Sequence, residues 1–348
     1  MRNLCLLLLG AMAAMAQPEA AILPRQDFAA DTSGWMAMGQ GGSLAANHGA
    51  LEFRYEVKPK QFAMAVLPAP PGVARLKRLR FRAKADHDTS VAVLLTEKKP
   101  GGGNYIATFW AAAGAWQQIE LTPADFAATD GANDPVDADG KLDLDQVEGI
   151  GVIDIAQFIA SQPDNSDFPV IIARDTGAHT LLLSDFELLA GDAAPRPALA
   201  IDRFDRGYLE WVTLGGMKLK LAAPDNPLHT GALEAVYEQT QGHYGLLVHR
   251  LSHLDLAKAK RLAFDVASTT DATLVVSLEL KNGKRFNQTI YPPGGKEVFQ
   301  VDLKLTDFEG TGTLDAAQLK SLTITDISAA EGGSGQTNTL WIGRVEGR

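Results

Sequence analysis

The sequence predicts an all-β protein made of two tandem β-sandwiches joined by a short linker. Three observations carry this expectation. One stretch of about 150 residues recurs in order along the chain. The dominant hydrophobic period within each copy is two, and Gly, Pro, Asn and Asp separate the short apolar runs.

The repeat shows first at Gly49-Ala50-Leu51-Glu52-Phe53-Arg54-Tyr55-Glu56, which returns as Gly231-Ala232-Leu233-Glu234-Ala235-Val236-Tyr237-Glu238 with six of eight residues identical. Phe28 and Trp35 are spaced like Phe204 and Trp211. Arg78-Leu79-x-Phe81 matches Arg261-Leu262-x-Phe264, and Asp125-Phe126 matches Asp307-Phe308. Leu142-Asp143-x-x-Gln146 matches Leu314-Asp315-x-x-Gln318, and each copy then runs to Asp154-Ile155 or Asp326-Ile327. These matches set the domains at 22–190 and 198–348. Between them 191–197, with two prolines and small residues, reads as a linker, and each half is expected to fold by itself.

In chain order, Leu51, Phe53 and Tyr55 alternate with Glu52, Arg54 and Glu56, the pattern of a half-buried antiparallel strand. Leu79, Phe81 and Ala83 alternate with Arg80, Arg82 and Lys84 in the same way. Ser90 to Thr96, Tyr105 to Trp110, Trp116 to Leu121, Ile150 to Ile155 and Thr180 to Leu188 complete the first set. A single helical turn is expected at Leu142 to Val147 and at Leu314 to Leu319. Paired Trp35 and Trp211 read as core residues, and Phe168 to Ile172 as an added edge strand or, alternatively, the rim of a binding face.

Ahead of the first repeat, Met1-Arg2-Asn3 and an apolar run from Leu4 to Ala16 have the form of a signal peptide over 1–16, with small residues at Ala14 and Ala16 for cleavage before Gln17. The expected location is periplasmic or secreted. The run is too short to cross a bilayer, so no membrane span is expected. The only cysteine, Cys5, lies inside that segment, which excludes a disulfide framework and a thiol nucleophile. At 46% hydrophobic and 21% charged, the composition is that of a globular rather than a disordered chain. The net charge of −10 argues against nucleic acid as a partner, because phosphate binding rests on Lys and Arg.

An opening Asp-Phe before a Trp, the Gly-x-Leu-x-Phe-x-Tyr strand, the Leu-x-Phe-x-Ala-x-Ala strand, and Leu-Asp-Leu-x-x-Val-x-x-Ile before the closing Ser-Asp-Phe-Glu strand resemble the galactose-binding-like jelly rolls. These include family 11 carbohydrate-binding modules and the domain of complex I intermediate-associated proteins. The resemblance implies a non-catalytic protein that binds a glycan or another protein. It transfers no ligand residue.

Chemistry is sought where the copies differ. The loop between Phe126 and Leu142 carries Asp130, Asp134, Asp137 and Asp139, followed by Asp143 and Asp145. Asp134, Asp137, Asp139 and Asp143 are candidate ligands for a structural calcium. Asp137-Ala138-Asp139-Gly140 resembles the middle of an EF-hand loop, but the first ligand position falls on Pro135 and the twelfth on Gln146. The competing reading is a solvated loop of turn-forming residues. On the outward side, Arg80 and Arg82 form a ladder, and aligning Tyr105 with Phe286 sets Thr108 and Trp110 against Thr289 and Tyr291. Arg80, Arg82, Thr108 and Trp110, with Tyr291 in the second copy, are candidate ligand contacts for a carbohydrate, in particular an acidic glycan. The alternatives are a solvated Arg face and a Trp that caps the sandwich. The histidines show no metal-ligand spacing, and no nucleophile or phosphate-loop motif occurs. Two carboxylates would suffice for a glycosidase, but the sandwiches lack large active-site insertions. The expected function is carbohydrate binding, with a protein-interaction module in the cell envelope as the rival.

Overall fold

A computed structural model of the protein describes residues 21–98, 101–129, 131, 134–137, 139–161, 176–192, 197–204, 210–214, 216–239, 244–331 and 335–348. The expected signal peptide, most of the linker and the expected strand at 168–172 lie outside the described residues.

The first half is two antiparallel sheets packed on one core. In one sheet Ser43–Asn47, Ala50–Val57, Gly177–Leu189, Arg78–Ala85 and Gln117–Leu121 lie side by side, and Ala21–Gln26 also pairs with Gly177–Leu189. The other sheet runs Ala127–Ala128, Asn104–Ala111, Thr89–Glu97, Val147–Asp154, Ala63–Pro68 and Met36–Gly39. The chain passes back and forth between the sheets, though Ser43–Asn47 and Ala50–Val57 pair within one sheet, as do Thr89–Glu97 and Asn104–Ala111, and this gives a jelly-roll sandwich. The second half repeats the plan. Ala232–Glu238, Thr337–Gly343 and Arg261–Ser268 stand in one sheet, and Gly245–Arg250, Leu319–Asp326, Leu274–Leu280 and Arg285–Ile290 in the other.

Register explains the alternation read from the sequence. Leu183 faces Leu51 on one side and Ala83 on the other, so three strands send apolar side chains to the same face. Leu51, Phe53, Leu79, Phe81, Leu181 and Leu183 are fully buried, and each such burial contributes about 1.5–3 kcal/mol. Trp35 and Trp211 are both buried, and both ring N–H groups donate to a side chain nine positions upstream, Gln26 Oε1 at 3.0 Å and Asp202 Oδ2 at 2.7 Å. In the long closing strand the register slips between Ser184 and Glu187, and Asp185 takes a positive φ of 55°. That bulge turns Asp185 outward to pair with Arg25 and Arg82.

The helical turns differ from expectation. In the second half it is a 3-10 turn, Ala316–Gln318, with Asp315 accepting from the Ala317 N–H at 3.0 Å. In the first half 144–146 is only a turn, closed by the Gln146 N–H to the Asp143 carbonyl at 2.8 Å. A short helix, Ala156–Ala160, follows Asp154 instead. Its buried Gln157 accepts from the Ala63 N–H at 2.7 Å and donates to the Ala63 carbonyl at 2.9 Å, tying the inserted segment to the sheet.

The buried apolar residues fall into two main clusters, one drawn from Phe28 to Leu188 and one from Ile201 to Val345, with one residue crossing. Trp110 of the first half belongs to the core of the second, beside residues such as Trp211, Leu247 and Phe286. The Thr108 N–H donates to Glu210 Oε1 at 2.9 Å, the Glu210 N–H donates to the Thr108 carbonyl at 2.8 Å, and Arg250 Nη1 donates to the Ile106 carbonyl at 2.9 Å. The two sandwiches are therefore joined by an apolar plug ringed by hydrogen bonds.

Candidate functional site

The surface expected from Arg80, Arg82, Thr108 and Trp110 does not exist, for two reasons. Arg78–Ala85 and Asn104–Ala111 lie in opposite sheets of the sandwich, so their outward faces point away from one another. Moreover, Thr108 and Trp110 are only 1% and 4% exposed, because the second sandwich covers them. The Arg ladder is outward, as expected, but interleaved with acids. Arg80 Nε lies 2.5 Å from Glu187 Oε1, Arg82 pairs with Asp185 at 3.7 Å, and the Arg82 guanidinium sits 5.0 Å from the centre of the Trp116 ring. These pairs neutralise the positive face that an acidic glycan would have used.

The acidic loop gives its carboxylates to its own backbone and neighbours. Asp134 Oδ2 accepts from the Gly131 N–H at 2.8 Å, and Asp139 Oδ1 accepts from the Lys141 N–H at 3.0 Å. The Tyr105 hydroxyl donates to Asp137, and this bond in first place holds the Asp137 carboxyl below its usual range. Asp143 is tied through its N–H, 2.5 Å from Glu97 Oε1. Among the described residues, Asp134, Asp137, Asp139 and Asp143 do not form a group whose ligand atoms converge.

Among the candidate aromatic residues Tyr291 faces solvent, at 66% exposure. It follows strand Arg285–Ile290 and lines a cavity of roughly 850 Å³ at the loop end of the second sandwich. Thr269, Thr270, Asp271, Ser328, Gln239 and Gln336 line the same cavity. Gly294 closes the wall: a side chain there would come within 2.8 Å of the Thr270 and Asp271 backbone. Its N–H donates to Asp271 Oδ1 at 2.8 Å.

Beneath this cavity a buried polar network holds the wall. Asp326 Oδ2 accepts from the Tyr237 hydroxyl at 2.5 Å and from Gln239 Nε2 at 2.8 Å, while Asp326 Oδ1 accepts from the Ser328 hydroxyl and N–H. Asn338 Oδ1 accepts from Ser268 and Thr269 hydroxyls at 3.0 and 2.7 Å, and Asn338 Nδ2 donates to the Tyr237 oxygen at 3.0 Å. Burial first, then the Asp326 charge, pushes the Tyr237 hydroxyl well above its ordinary pKa, so it stays a donor. A fully connected network of this kind fixes rotamers in advance of a ligand.

The same end of the first sandwich carries different chemistry. Tyr55 and Asp154 occupy the places of Tyr237 and Asp326, again joined by a hydrogen bond, of 2.6 Å. Where the second sandwich has Thr269, Thr270 and Asn338, the first has Asp86, His87 and His179. His87 Nδ1 lies 2.8 Å from Asp86 Oδ1, and His87 Nε2 lies 3.1 Å from Asp154 Oδ2. Burial alone would favour the neutral ring, but the bonds and charges of Asp154 and Asp86 outweigh it and raise the His87 pKa to about 9. Burial would likewise raise Asp154, yet His87, Thr89 and Tyr55 hold it below its usual value. No sequence spacing marks this cluster, since Asp86 and His179 are 93 positions apart. Alignment of the two copies was the available signal.

No family model matches the sequence. No curated protein matches it either. Among solved structures the chain is similar to the family 11 carbohydrate-binding module of the cellulosomal cellulase Lic26A-Cel5E of Clostridium thermocellum, at 15% identity and a TM-score of 0.38 over 52% of this chain and 99% of that one. It is similar along 96% of its length to 99% of the tandem family 22 modules at the N-terminus of Paenibacillus barcinonensis Xyn10C, at 12% identity and a TM-score of 0.32. An exo-β-agarase is similar over 39% of this chain and 23% of its own, at 13% identity and a TM-score of 0.32. At such identities the site must be read from its own side chains.

Proposed function

We propose that the protein is an exported, non-catalytic carbohydrate-binding protein whose ligand sits in the cavity beside Tyr291. The observation that carries this reading is an exposed aromatic ring that lines one cavity together with hydroxyl, amide and carboxylate groups whose positions a buried network fixes. The apolar face of a pyranose stacks on such a ring while its hydroxyls meet polar partners. No Lys or Arg lines the cavity among the described residues, which favours a neutral over an acidic sugar. Export is supported by the N-terminal charge and apolar pattern.

A glycan array with the full chain tests this. Saturable binding to a neutral oligosaccharide is expected, and Tyr291→Ala should weaken it by roughly 1–3 kcal/mol, on the scale of bases stacked on aromatic side chains, with an unchanged circular dichroism spectrum. Silence on the array together with a co-purifying envelope protein would support the protein-interaction reading instead.

A further inference from the structure

We propose that Asp86, His87 and His179 form a binding site for one divalent transition ion of the zinc class in the first sandwich. The Asp86 Oδ1 atom lies 2.8 Å from His87 Nδ1 and 3.3 Å from His179 Nδ1, and the donor atoms of the three side chains all fall within 4.8 Å of one another. Tetrahedral zinc with bonds of about 2.0–2.1 Å needs donor separations of roughly 3.3 Å, which the donor spacing here brackets, and the two rings, stacked with centroids 3.8 Å apart, turn to aim their in-plane lone pairs at one ion. Two imidazoles and one carboxylate suit Zn²⁺, Co²⁺, Ni²⁺ or Cu²⁺ and not Ca²⁺ or Mg²⁺, which prefer all-oxygen sets.

The surroundings are those of a supported ligand set. The buried Asp154 carboxylate stands 3.1 Å from His87 Nε2 and, once the Nδ1 proton has left, favours the tautomer whose Nδ1 lone pair is on the Asp86 side. Asp154 is itself fixed by Tyr55 at 2.6 Å, Thr89 at 2.5 Å and the Ala156 N–H at 2.8 Å. Asp86 is fixed through its other oxygen, which accepts from the Thr180 N–H at 2.8 Å, and its side chain is 43% exposed, so a fourth coordination position opens to solvent. On binding, the proton that bridges His87 Nδ1 and Asp86 leaves to solvent, one per ion. The second sandwich keeps the supporting Tyr–Asp pair and replaces all three ligands, which makes it an internal control.

The experiment uses full-length, tag-free protein stripped with chelator. Titration with Zn²⁺ by calorimetry should give one site per chain, undisturbed by millimolar Ca²⁺, and Co²⁺ should produce the visible bands of a tetrahedral centre. His179→Asn and His87→Gln should each weaken Zn²⁺ binding at least tenfold and remove the Co²⁺ bands, while His229→Asn, at an exposed histidine elsewhere, should behave as wild type. His179→Asn introduces the residue that the second sandwich accepts at that place, and Asp86→Thr offers the same comparison should it fail to fold. No Zn²⁺ binding below millimolar concentration, or binding that survives these substitutions in folded protein, overturns the assignment.

Discussion

Replacing Trp110 by Ala separates two accounts of the first sandwich. If the residue were a sugar platform, its loss would weaken ligand binding and spare the fold. Its 4% exposure and its place in the core of the second sandwich predict the reverse. Large-to-small substitution of a buried Trp removes the transfer energy and leaves a cavity, together about 3–5 kcal/mol. The flanking bonds of Thr108 with Glu210, and of Arg250 with the Ile106 carbonyl, would then border a void. Urea unfolding of the full chain followed by far-ultraviolet circular dichroism should show a loss of this size, with the second sandwich's transition moving most. In residues 22–190 expressed alone, where no second sandwich covers the ring, the same substitution should change stability by less than about 1 kcal/mol. An unaltered full-chain transition combined with lost glycan binding would refute the buried placement.

Two further outcomes follow from single contacts. Gly294→Ala drives a Cβ to 2.8 Å from the Thr270 and Asp271 backbone, so the cavity wall must shift at a cost of roughly 1–3 kcal/mol; the array signal should fall while Zn²⁺ titration stays unchanged, and intact glycan binding would remove this wall from the site. In chelator-treated protein, His87 has a folded pKa of about 9 against about 6.5 when unfolded, so its stabilisation is fully present below pH ~6.5 and is lost as pH rises through about 9. His87→Gln should flatten that part of the stability profile measured by urea unfolding, and an unchanged slope would mean the ring is not held between the two carboxylates.

The strands were legible because a period of two is a local property: Leu51, Phe53 and Tyr55 point inward in the structure as their spacing requires. The duplication was legible for the same reason, since each copy repeats its local pattern in order. What alternation reports, however, is a side relative to one's own sheet. It identified Arg80 and Trp110 as outward, and both are, but it could not show that their strands lie in opposite sheets or that a second sandwich covers one of them. Alternation at Arg80 also carries no sign of Glu187, which the bulged closing strand brings alongside from far along the chain. His87 and His179 were missed because their meeting depends on strand pairing and on the loop after Arg78–Ala85, neither of which leaves a spacing in the sequence.

Trp110 and Tyr291 occupy the same position in the two copies, Trp110 within Asn104–Ala111 and Tyr291 directly after Arg285–Ile290, and the strand partners Ala127–Ala128 and Glu309–Gly310 pair in the same register. One aromatic position thus stands in two different surroundings. In the first copy the neighbouring sandwich covers the ring, and burial of an indole there joins the halves. In the second copy the ring stands 66% exposed over a polar cavity. The neighbouring polar positions diverge in step: Thr269, Thr270 and Asn338 leave hydroxyls and an amide beside the open aromatic, whereas Asp86, His87 and His179 place charge and imidazole where the aromatic is no longer available. A ring that is covered cannot stack a sugar, so the first copy's end lacks the platform proposed at Tyr291. Binding of glycan to the second copy and of metal to the first should accordingly be independent, since no residue is shared between the two sites, and Tyr291→Ala should leave the Zn²⁺ isotherm as it is in the wild type.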